Sequence, residues 1–127
     1  MTDSGLESLK SLAGLQVLYL DHTKVTDRGI AQLKDLKQMW VLYLQGTRIG
    51  DAGLATIGEM TDLEHLNLND TLVGDAGLER LAQLNRLQDL LLRGTRVTDA
   101  GLDHIKGLPN LRCLALRDTK ITDTGLQ

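Results

Sequence analysis

The chain has 127 residues, enough for one ordinary domain, and its net charge of −3 gives no electrostatic argument for binding nucleic acid or anionic lipid. We predict no secretory signal in the first ten residues and no membrane span, since no apolar stretch reaches the roughly 20 residues that a spanning helix needs. Cys113 is the single cysteine, which excludes an intrachain disulfide and slightly favours the cytoplasm, while the localisation stays open.

A strict internal repeat organises the chain. The pattern [TG]-D-x-G-[LI], followed by regularly spaced leucines, recurs every 24 residues without insertion or deletion. The units are 2–25, 26–49, 50–73, 74–97 and 98–121, and residues 122–127 begin a sixth. One unit cannot bury its own apolar side, so we expect the copies to stack as one domain over residues 1–127.

Each unit starts with a helical pattern and ends with a strand pattern. Leu54, Ile57 and Met60 recur every third residue, which predicts one face of a short α or 3₁₀ helix. Leu18 and Leu20 alternate with exposed positions, which predicts a half-buried strand. The predicted strands lie near 16–20, 40–44, 64–68, 88–92 and 112–116. A helix between successive strands predicts an α/β solenoid with one parallel sheet and right-handed crossovers.

The strand segment L-x-x-L-x-L-x-x-T-x-[VI] resembles the leucine-rich-repeat family, with Thr where that family usually has Asn or Cys. The following [TG]-D-x-G-L is similar to the short repeats of bacterial leucine-rich-repeat proteins. It also resembles the cysteine-containing repeats of eukaryotic F-box proteins, with Thr in the Cys position. The resemblance covers essentially the whole chain. It implies a horseshoe with short helices on the convex face and a strand-lined concave face that usually contacts protein ligands.

Stacking aligns equivalent residues into series, and the first series is acidic. Its members are Asp3, Asp27, Asp51, Asp75, Asp99 and Asp123. Asp ahead of a helix predicts an N-cap. The alternative is calcium binding, which we disfavour because one Asp per repeat does not provide converging oxygens.

Three further series accompany the acidic one. A glycine series predicts a tight turn or close packing: Gly5, Gly29, Gly53, Gly77, Gly101 and Gly125. A threonine series predicts hydroxyl bonds to the backbone of the neighbouring turn: Thr23, Thr47, Thr71, Thr95 and Thr119. A basic series, broken by Leu72, is expected to offset the repulsion of the aspartates: Lys24, Arg48, Arg96 and Lys120.

Outward positions of the strands, and Trp40 one position upstream of Val41, carry the predicted partner-binding residues. They are Val17, Tyr19, Trp40, Val41 and Tyr43 in the first two repeats, with Arg93 and Arg117 in the later ones. Tyr, Trp and Arg are enriched among the residues that dominate protein interfaces, so the series predicts a protein-binding module. The alternative is that Tyr19 and Tyr43 only stiffen the sheet through cross-strand packing.

We predict neither catalysis nor a cofactor. His65, Asp89 and Cys113 follow one another in one outward series, but His65 and Cys113 lie two strands apart, about 9–10 Å by strand spacing. That separation disfavours a Cys–His nucleophile and a zinc site, which both need closer groups. His22 and His104 receive no role.

The two ends of the array suggest an alternative function. Recognisable polar caps are missing, so the leucines of the first unit are expected to be exposed. Either the chain is a fragment of a longer array, or it assembles into homo-oligomers through its ends or its concave face. The partner is thus a protein of unknown identity or a second copy, with nucleic acid and membrane disfavoured.

Overall fold

The computed structural model describes residues 1–123 and contains one parallel sheet of five strands in sequential order. The strands are β1 (Val17–Tyr19), β2 (Val41–Tyr43), β3 (His65–Asn67), β4 (Asp89–Leu91) and β5 (Cys113–Ala115). The α-helices are α1 (Asp3–Leu6), α2 (Asp27–Ala31), α3 (Asp51–Ile57), α4 (Asp75–Arg80) and α5 (Asp99–Ile105), and 3₁₀ turns extend α1 and α4 over Glu7–Leu9 and Leu81–Gln83. Gly125 of the predicted glycine series lies outside the described residues.

Every strand pairs in the register of the repeat. Leu18 pairs with Leu42, Leu66 with Leu90, and each partner lies 24 residues further on. The predicted α/β solenoid is confirmed. The strands are three residues long rather than five, yet the backbone bonds continue beyond them, since the N–H of Leu20 donates to the carbonyl of Tyr43 at 2.8 Å. The shorter strands therefore reflect the bend at each strand end and not a loss of pairing.

The core is a stack of aliphatic layers without aromatic residues. Leu54, Ile57 and Met60 of the helical half are fully buried, as are Leu42 and Leu44 of the strand half. All buried hydrophobic residues among 1–123 are Leu, Ile, Val or Met. Each layer thus packs on nearly identical layers, as the repeat predicts.

The aspartate series does not cap the helices, so that prediction is wrong. Each Asp is the first helical residue, and the N-cap before it is Thr or Gly. The carboxylates instead accept a backbone N–H of the next repeat, at 2.7 Å from Asp27 Oδ1 to Gly50 and 2.6 Å from Asp51 Oδ1 to Gly74. Asp3, Asp75 and Asp99 make the same bond. Each carboxylate binds the next repeat instead of its own helix because stacking places an unpaired backbone N–H of that repeat beside it.

The glycine series makes room for those carboxylates. An ideal Cβ on Gly53 would lie 2.6 Å from Asp27 Oδ1, and one on Gly101 would lie 2.3 Å from Asp75 Oδ1. Both distances are far inside van der Waals contact. The predicted close packing is therefore confirmed, and its partner is the aspartate of the preceding repeat.

The threonine series works within its own repeat and not between turns, which corrects the prediction. The hydroxyl of Thr47 donates to the carbonyl of Leu44 at 2.7 Å, and that of Thr71 donates to Leu68 at the same distance. The other three threonines bond the residue three before them in the same way. A side chain three residues past a carbonyl reaches it more easily than the adjacent turn, so each hydroxyl closes its own bend.

A left-handed backbone position recurs in every repeat and was missed from the sequence. Its members, with φ between 57° and 70°, are His22, Gly46, Asp70, Gly94 and Asp118. Gly alternates with larger residues because the larger side chains lean over the glycines. A Cβ on Gly46 would lie 2.5 Å from His22 Nδ1, and one on Gly94 would lie 2.3 Å from Asp70 Oδ1. The recurring Gly and Asp were the signal for this conformation.

Two smaller expectations also need correction. Within residues 1–123 the basic series makes no ion pair with the aspartates, which are already bound to backbone N–H groups. In the first unit, Leu6 and Leu20 are buried although the whole layer was expected to be exposed, because α1 packs against α2 of the second unit. Leu12 is 48% exposed.

A double-mutant cycle tests the aspartate–glycine contact. Asp27→Ala should destabilise by about 1–3 kcal/mol because the Gly50 N–H loses its acceptor. Gly53→Ala should cost a similar ~1–3 kcal/mol through overpacking against that carboxylate. The double variant should lose clearly less than the sum, since removing the carboxylate relieves the clash. Chemical denaturation measures all three. Asp27→Ala with Gly107→Ala, whose Cβ would meet nothing within 4 Å, should be additive, and equal non-additivity there would disprove the contact.

The last described repeat offers a pH test of the same contact. The hydroxyl of Thr122, its backbone N–H and the charge of Lys106 lower the pKa of Asp99 below the usual 3.8. A lowered folded pKa adds stability above the unfolded pKa, and that stability is lost as pH falls through the folded value. Thr122→Val should raise the pKa of Asp99 toward 3.8, while Thr122→Ser should not. An NMR titration of the carboxyl measures both, and equal values in the two variants would contradict the assignment.

Candidate functional site

The exposed aromatic side chains lie together at the N-terminal end of the sheet. Tyr19 is 62% exposed, Val17 37% and Trp40 36%, and Tyr43 is half-buried. The rings of Tyr19 and Tyr43 meet edge to face, with centroids 4.9 Å apart and planes at 75°. We call Val17, Tyr19, Trp40 and Tyr43 the aromatic patch. Val17 and Tyr19 lie on β1 and Tyr43 lies on β2, and Trp40 directly precedes β2.

Val41 departs from its predicted exposed position. It is only 6% exposed, whereas Val17, its partner on β1, is 37% exposed. β1 is an edge strand with one neighbour, while β2 lies between β1 and β3, so Val41 is flanked on both sides by Val17 and His65. Val41 therefore supports the aromatic patch and offers little surface of its own.

A network of side chains extends from the aromatic patch along the sheet. The Trp40 ring contacts the His65 ring, with centroids 5.9 Å apart, and His65 Nδ1 forms a short hydrogen bond with Asp89 Oδ2. Asp89 Oδ1 lies 3.9 Å from Arg112 Nε. Cys113 is exposed and has no part in these contacts. The geometry thus joins His65 to a carboxylate and not to the thiol. The sequence placed these residues in adjacent series but could not give their rotamers.

Two asparagines in the middle of the concave face are buried, although the first of them occupies the position equivalent to Tyr43 on the neighbouring strand. Asn67 and Asn69 are 6% and 8% exposed. Asn67 Nδ2 donates to Gln45 Oε1 at 3.2 Å, and Asn69 Oδ1 accepts the N–H of Arg93 at 2.8 Å. Asp21 makes the equivalent bond to the N–H of Gln45 at 2.8 Å. These polar side chains bind successive repeats together and are not free for a ligand.

The two predicted arginines lie far from the aromatic patch and differ from each other. Arg93 donates to Asp70 Oδ2 at 2.9 Å, while Arg117 is exposed and makes no ion pair within residues 1–123. They occupy positions two residues beyond β4 and β5, so two strands, β3 and β4, lie between Tyr43 on β2 and the strand that precedes Arg117. The predicted residues therefore form two separate groups.

A polar groove of about 390 Å³ adjoins the aromatic patch. Trp40 forms one wall, and the other lining residues are Gln16, Gln38, Asp62, Glu64 and Arg86. Arg86 lies 3.4 Å from Asp62, and Gln88 donates to Glu64 Oε1 at 2.8 Å. The aromatic patch therefore has a charged rim on one side, as protein interfaces commonly have.

Among residues 1–123, no group of three or more His, Cys, Asp or Glu side chains has an arrangement able to hold a metal ion. No helix in that range has the length and hydropathy to cross a membrane.

Comparisons with known proteins agree with the fold. The model of the family described as Leucine Rich repeat matches residues 59–82 and 107–127. Curated proteins give no match. The chain is similar in structure to an internalin (inlF) of Listeria monocytogenes, with 26% identity and a TM-score of 0.83. The match covers 92% of this chain and 33% of the internalin chain. Internalin C2 of the same organism is 28% identical, with a TM-score of 0.79, and the match covers 92% of this chain and 48% of that one. The chain therefore spans less than half of either internalin.

A more distant structure shows the fold alone. The ectodomain of the receptor kinase SOBIR1 from Arabidopsis thaliana is 16% identical, with a TM-score of 0.64, over 91% of this chain and 65% of that one. The chain is therefore similar to leucine-rich-repeat proteins over the matched residues, and these findings give no support to the F-box-type cysteine-containing subclass. The 24-residue period, the parallel register and the structural matches identify the chain as an α/β leucine-rich-repeat solenoid.

Proposed function

We propose that the chain binds another protein through the aromatic patch on its concave face. The leucine-rich-repeat fold suggests a protein-interaction module, and the observation that carries the finer assignment is the exposure of Tyr19, Val17 and Trp40 on or directly before the first two strands. All three aromatic residues of the chain lie outside the core. Since the core does without aromatics, their placement on one surface favours a role in contact with a partner.

The aromatic patch is held in place before any partner arrives. Tyr43 supports the ring of Tyr19, and Trp40 rests against His65, which Asp89 holds by a hydrogen bond. Tyr and Trp have few rotamers to freeze, and these contacts restrict them further. Less conformational entropy is therefore lost on binding, which raises affinity for a given contact area.

The charged surroundings favour orientation of the partner over affinity. Asp62 and Arg86 of the polar groove already pair with each other, and Arg93 already pairs with Asp70. Arg117 is exposed and contributes at the far end of the sheet. Exposed rim charges mainly affect association rate and salt dependence.

A plant peptide hormone receptor, RGFR1, is described in complex with RGF2 and is 19% identical to this chain, with a TM-score of 0.65. The match covers 94% of this chain and 20% of the receptor chain. Its fold is consistent with a protein partner here.

We also propose that the chain is not an enzyme and uses no cofactor. Leucine-rich-repeat domains and internalin-like structures are typically non-catalytic interaction domains. The hydrogen bond between His65 and Asp89 leaves Cys113 without an adjacent base. An interaction role therefore explains the surface better than nucleophilic catalysis.

Self-association is the second candidate, and an apolar cavity favours it. The cavity, of about 310 Å³, lies at the last described repeat and is lined by Leu102, Ile105, Lys106, Leu108, Leu111, Arg112 and Leu114. A second copy seated there would make a head-to-tail contact, which propagates into a ring or a filament. Light-scattering mass over a dilution series tests this idea. A mass above one chain that persists in Tyr19→Ala/Tyr43→Ala would favour the ends over the aromatic patch.

Truncation of the tyrosines separates binding from folding. Tyr19→Ala with Tyr43→Ala should cost roughly 1 kcal/mol of stability if only their mutual contact is lost. The same variant should weaken binding by about 2 kcal/mol or more, roughly thirtyfold in Kd. The partner is first captured with the intact chain and identified by mass spectrometry. Its affinity is then measured by calorimetry beside denaturation midpoints.

A matched control lies on the same face. Leu91 occupies the equivalent position on β4, two strands from Tyr43, so Leu91→Ala should leave the Kd within about twofold if the aromatic patch is the contact. Unchanged binding in the tyrosine variant, with a large loss of stability, would make the tyrosines part of the scaffold. The contact would then have to be sought near Arg93 and Arg117.

A further inference from the structure

Three departures from the repeat lie next to one another on the edge that joins the sheet to the helices. Gly50 and Gly74 stand where the other units have Thr, and Leu72 stands where they have Lys or Arg. An ideal Cβ on Gly50 would lie 3.8 Å from the Leu72 Cβ, and one on Gly74 would lie 3.8 Å from the Arg96 Cβ. We call Gly50, Leu72 and Gly74 the edge notch.

Packing does not require the two glycines. Their backbones are extended, with φ of −130° at Gly50 and −140° at Gly74, which any residue adopts. The nearest atoms to an added Cβ are Asp27 Oδ2 at 3.5 Å and Asp51 Oδ2 at 3.7 Å, which are ordinary contacts. The fold therefore has room for a side chain at both positions.

The glycines also remove hydrogen bonds that other units make. The hydroxyl of Thr26 donates to Asp3 Oδ2 at 2.6 Å, and Thr98 makes the same bond to Asp75. Within residues 1–123, Asp27 and Asp51 each accept one hydrogen bond, from a backbone N–H to Oδ1, and none at Oδ2. The edge notch thus has two buried glycine backbones beside two carboxylates, and Oδ2 of each carboxylate accepts no donor from residues 1–123.

Cations lie on both sides of the edge notch. Arg48 and Arg96 occupy the strand-spaced positions before and after Leu72, about 4.8 Å away on each side, and Lys24 and Lys120 lie one position further out. All four are exposed and none makes an ion pair with residues 1–123. The aspartates beside this row already accept backbone N–H groups, so the cations that make no ion pair favour an anionic partner.

We propose that the edge notch docks an extended peptide segment that carries an apolar side chain between acidic residues. The apolar side chain covers Leu72, which is 47% exposed, and its acidic neighbours pair with Arg48 and Arg96. Backbone N–H groups of the segment donate to Oδ2 of Asp27 and Asp51. A nucleic-acid strand fits less well, because its phosphates match the cations but leave Leu72 uncovered.

The docking site is separate from the aromatic patch. The edge notch lies beyond the ends of the strands, at the start of the helical halves, whereas the aromatic patch lies on the strands themselves. The proposal therefore stands independently of the proposed function. Different variants test the two surfaces.

Restoring the repeat tests the proposal most sharply. In Gly50→Thr/Gly74→Thr the new hydroxyls can reach Asp27 and Asp51 as Thr26 reaches Asp3, so the thermal midpoint should stay or rise. The same side chains fill the edge notch, so binding should fall at least tenfold. The probe is a fluorescein-labelled peptide of sequence Gly-Glu-Asp-Leu-Asp-Glu-Gly, and anisotropy with the full chain gives Kd at low and moderate salt. Unchanged affinity in a folded Gly50→Thr/Gly74→Thr variant overturns the proposal.

Further variants and probes decide the remaining outcomes. Leu72→Ser changes an exposed side chain and should weaken binding at least fivefold, and it decides the matter if the glycine variant does not fold. Arg48→Glu/Arg96→Glu should abolish binding, and Tyr19→Ala/Tyr43→Ala should leave it unchanged. A peptide with Ser for Leu should bind at least fivefold more weakly. No binding of the probe at millimolar concentration, equal binding of the Ser peptide, or tighter binding of a single-stranded oligonucleotide would each overturn the proposal.

Discussion

The stacking of this solenoid depends on a carboxylate that reaches from one repeat into the next. Asp51 Oδ1 accepts the N–H of Gly74, and it does so through the space that the missing side chain of Gly77 leaves open. The same aspartate is the first residue of α3, where the positive end of the helix favours its charge. Repetition of this contact keeps successive repeats in one register. Side chains on the strands are therefore aligned in series, and both candidate surfaces consist of such series.

The sequence predicted the secondary structure within each unit, but it predicted the contacts between units less well. Alternation at Leu18 and Leu20 placed the strands, and the constant period gave their parallel register. The aspartates were misassigned because capping rules consider only the residues beside a helix, whereas the N–H that Asp27 binds lies 23 residues away. Val41 was misplaced for the same reason, since its burial depends on neighbours from two other units.

For the candidate site, the sequence predicted which side chains are exposed where exposure follows from strand alternation. Tyr19 is exposed as expected, because it alternates with the inward Leu18 and Leu20 on its strand. Trp40 is also exposed, although it has the same parity as the buried Leu42, because it lies before the start of β2. The hydrogen bond between His65 and Asp89 was beyond reach, because alignment in a series allows the contact but does not choose the rotamers. Whether the aromatic patch binds a partner stays a prediction, since exposure alone does not distinguish a contact surface from a stiffened sheet.

A strict repeat also makes its own exceptions informative. Where every unit has the same residue, as at the aspartates, that residue makes a contact that every unit needs for stacking. Where units differ at one isolated position, drift suffices as an explanation. The aromatic patch and the edge notch are different, because several departures fall on neighbouring positions of a single surface and improve no contact of the core. Each repeat contacts only its neighbours, so changes on such a surface have local structural costs. The two proposed contact surfaces therefore leave intact the layers that hold the solenoid together.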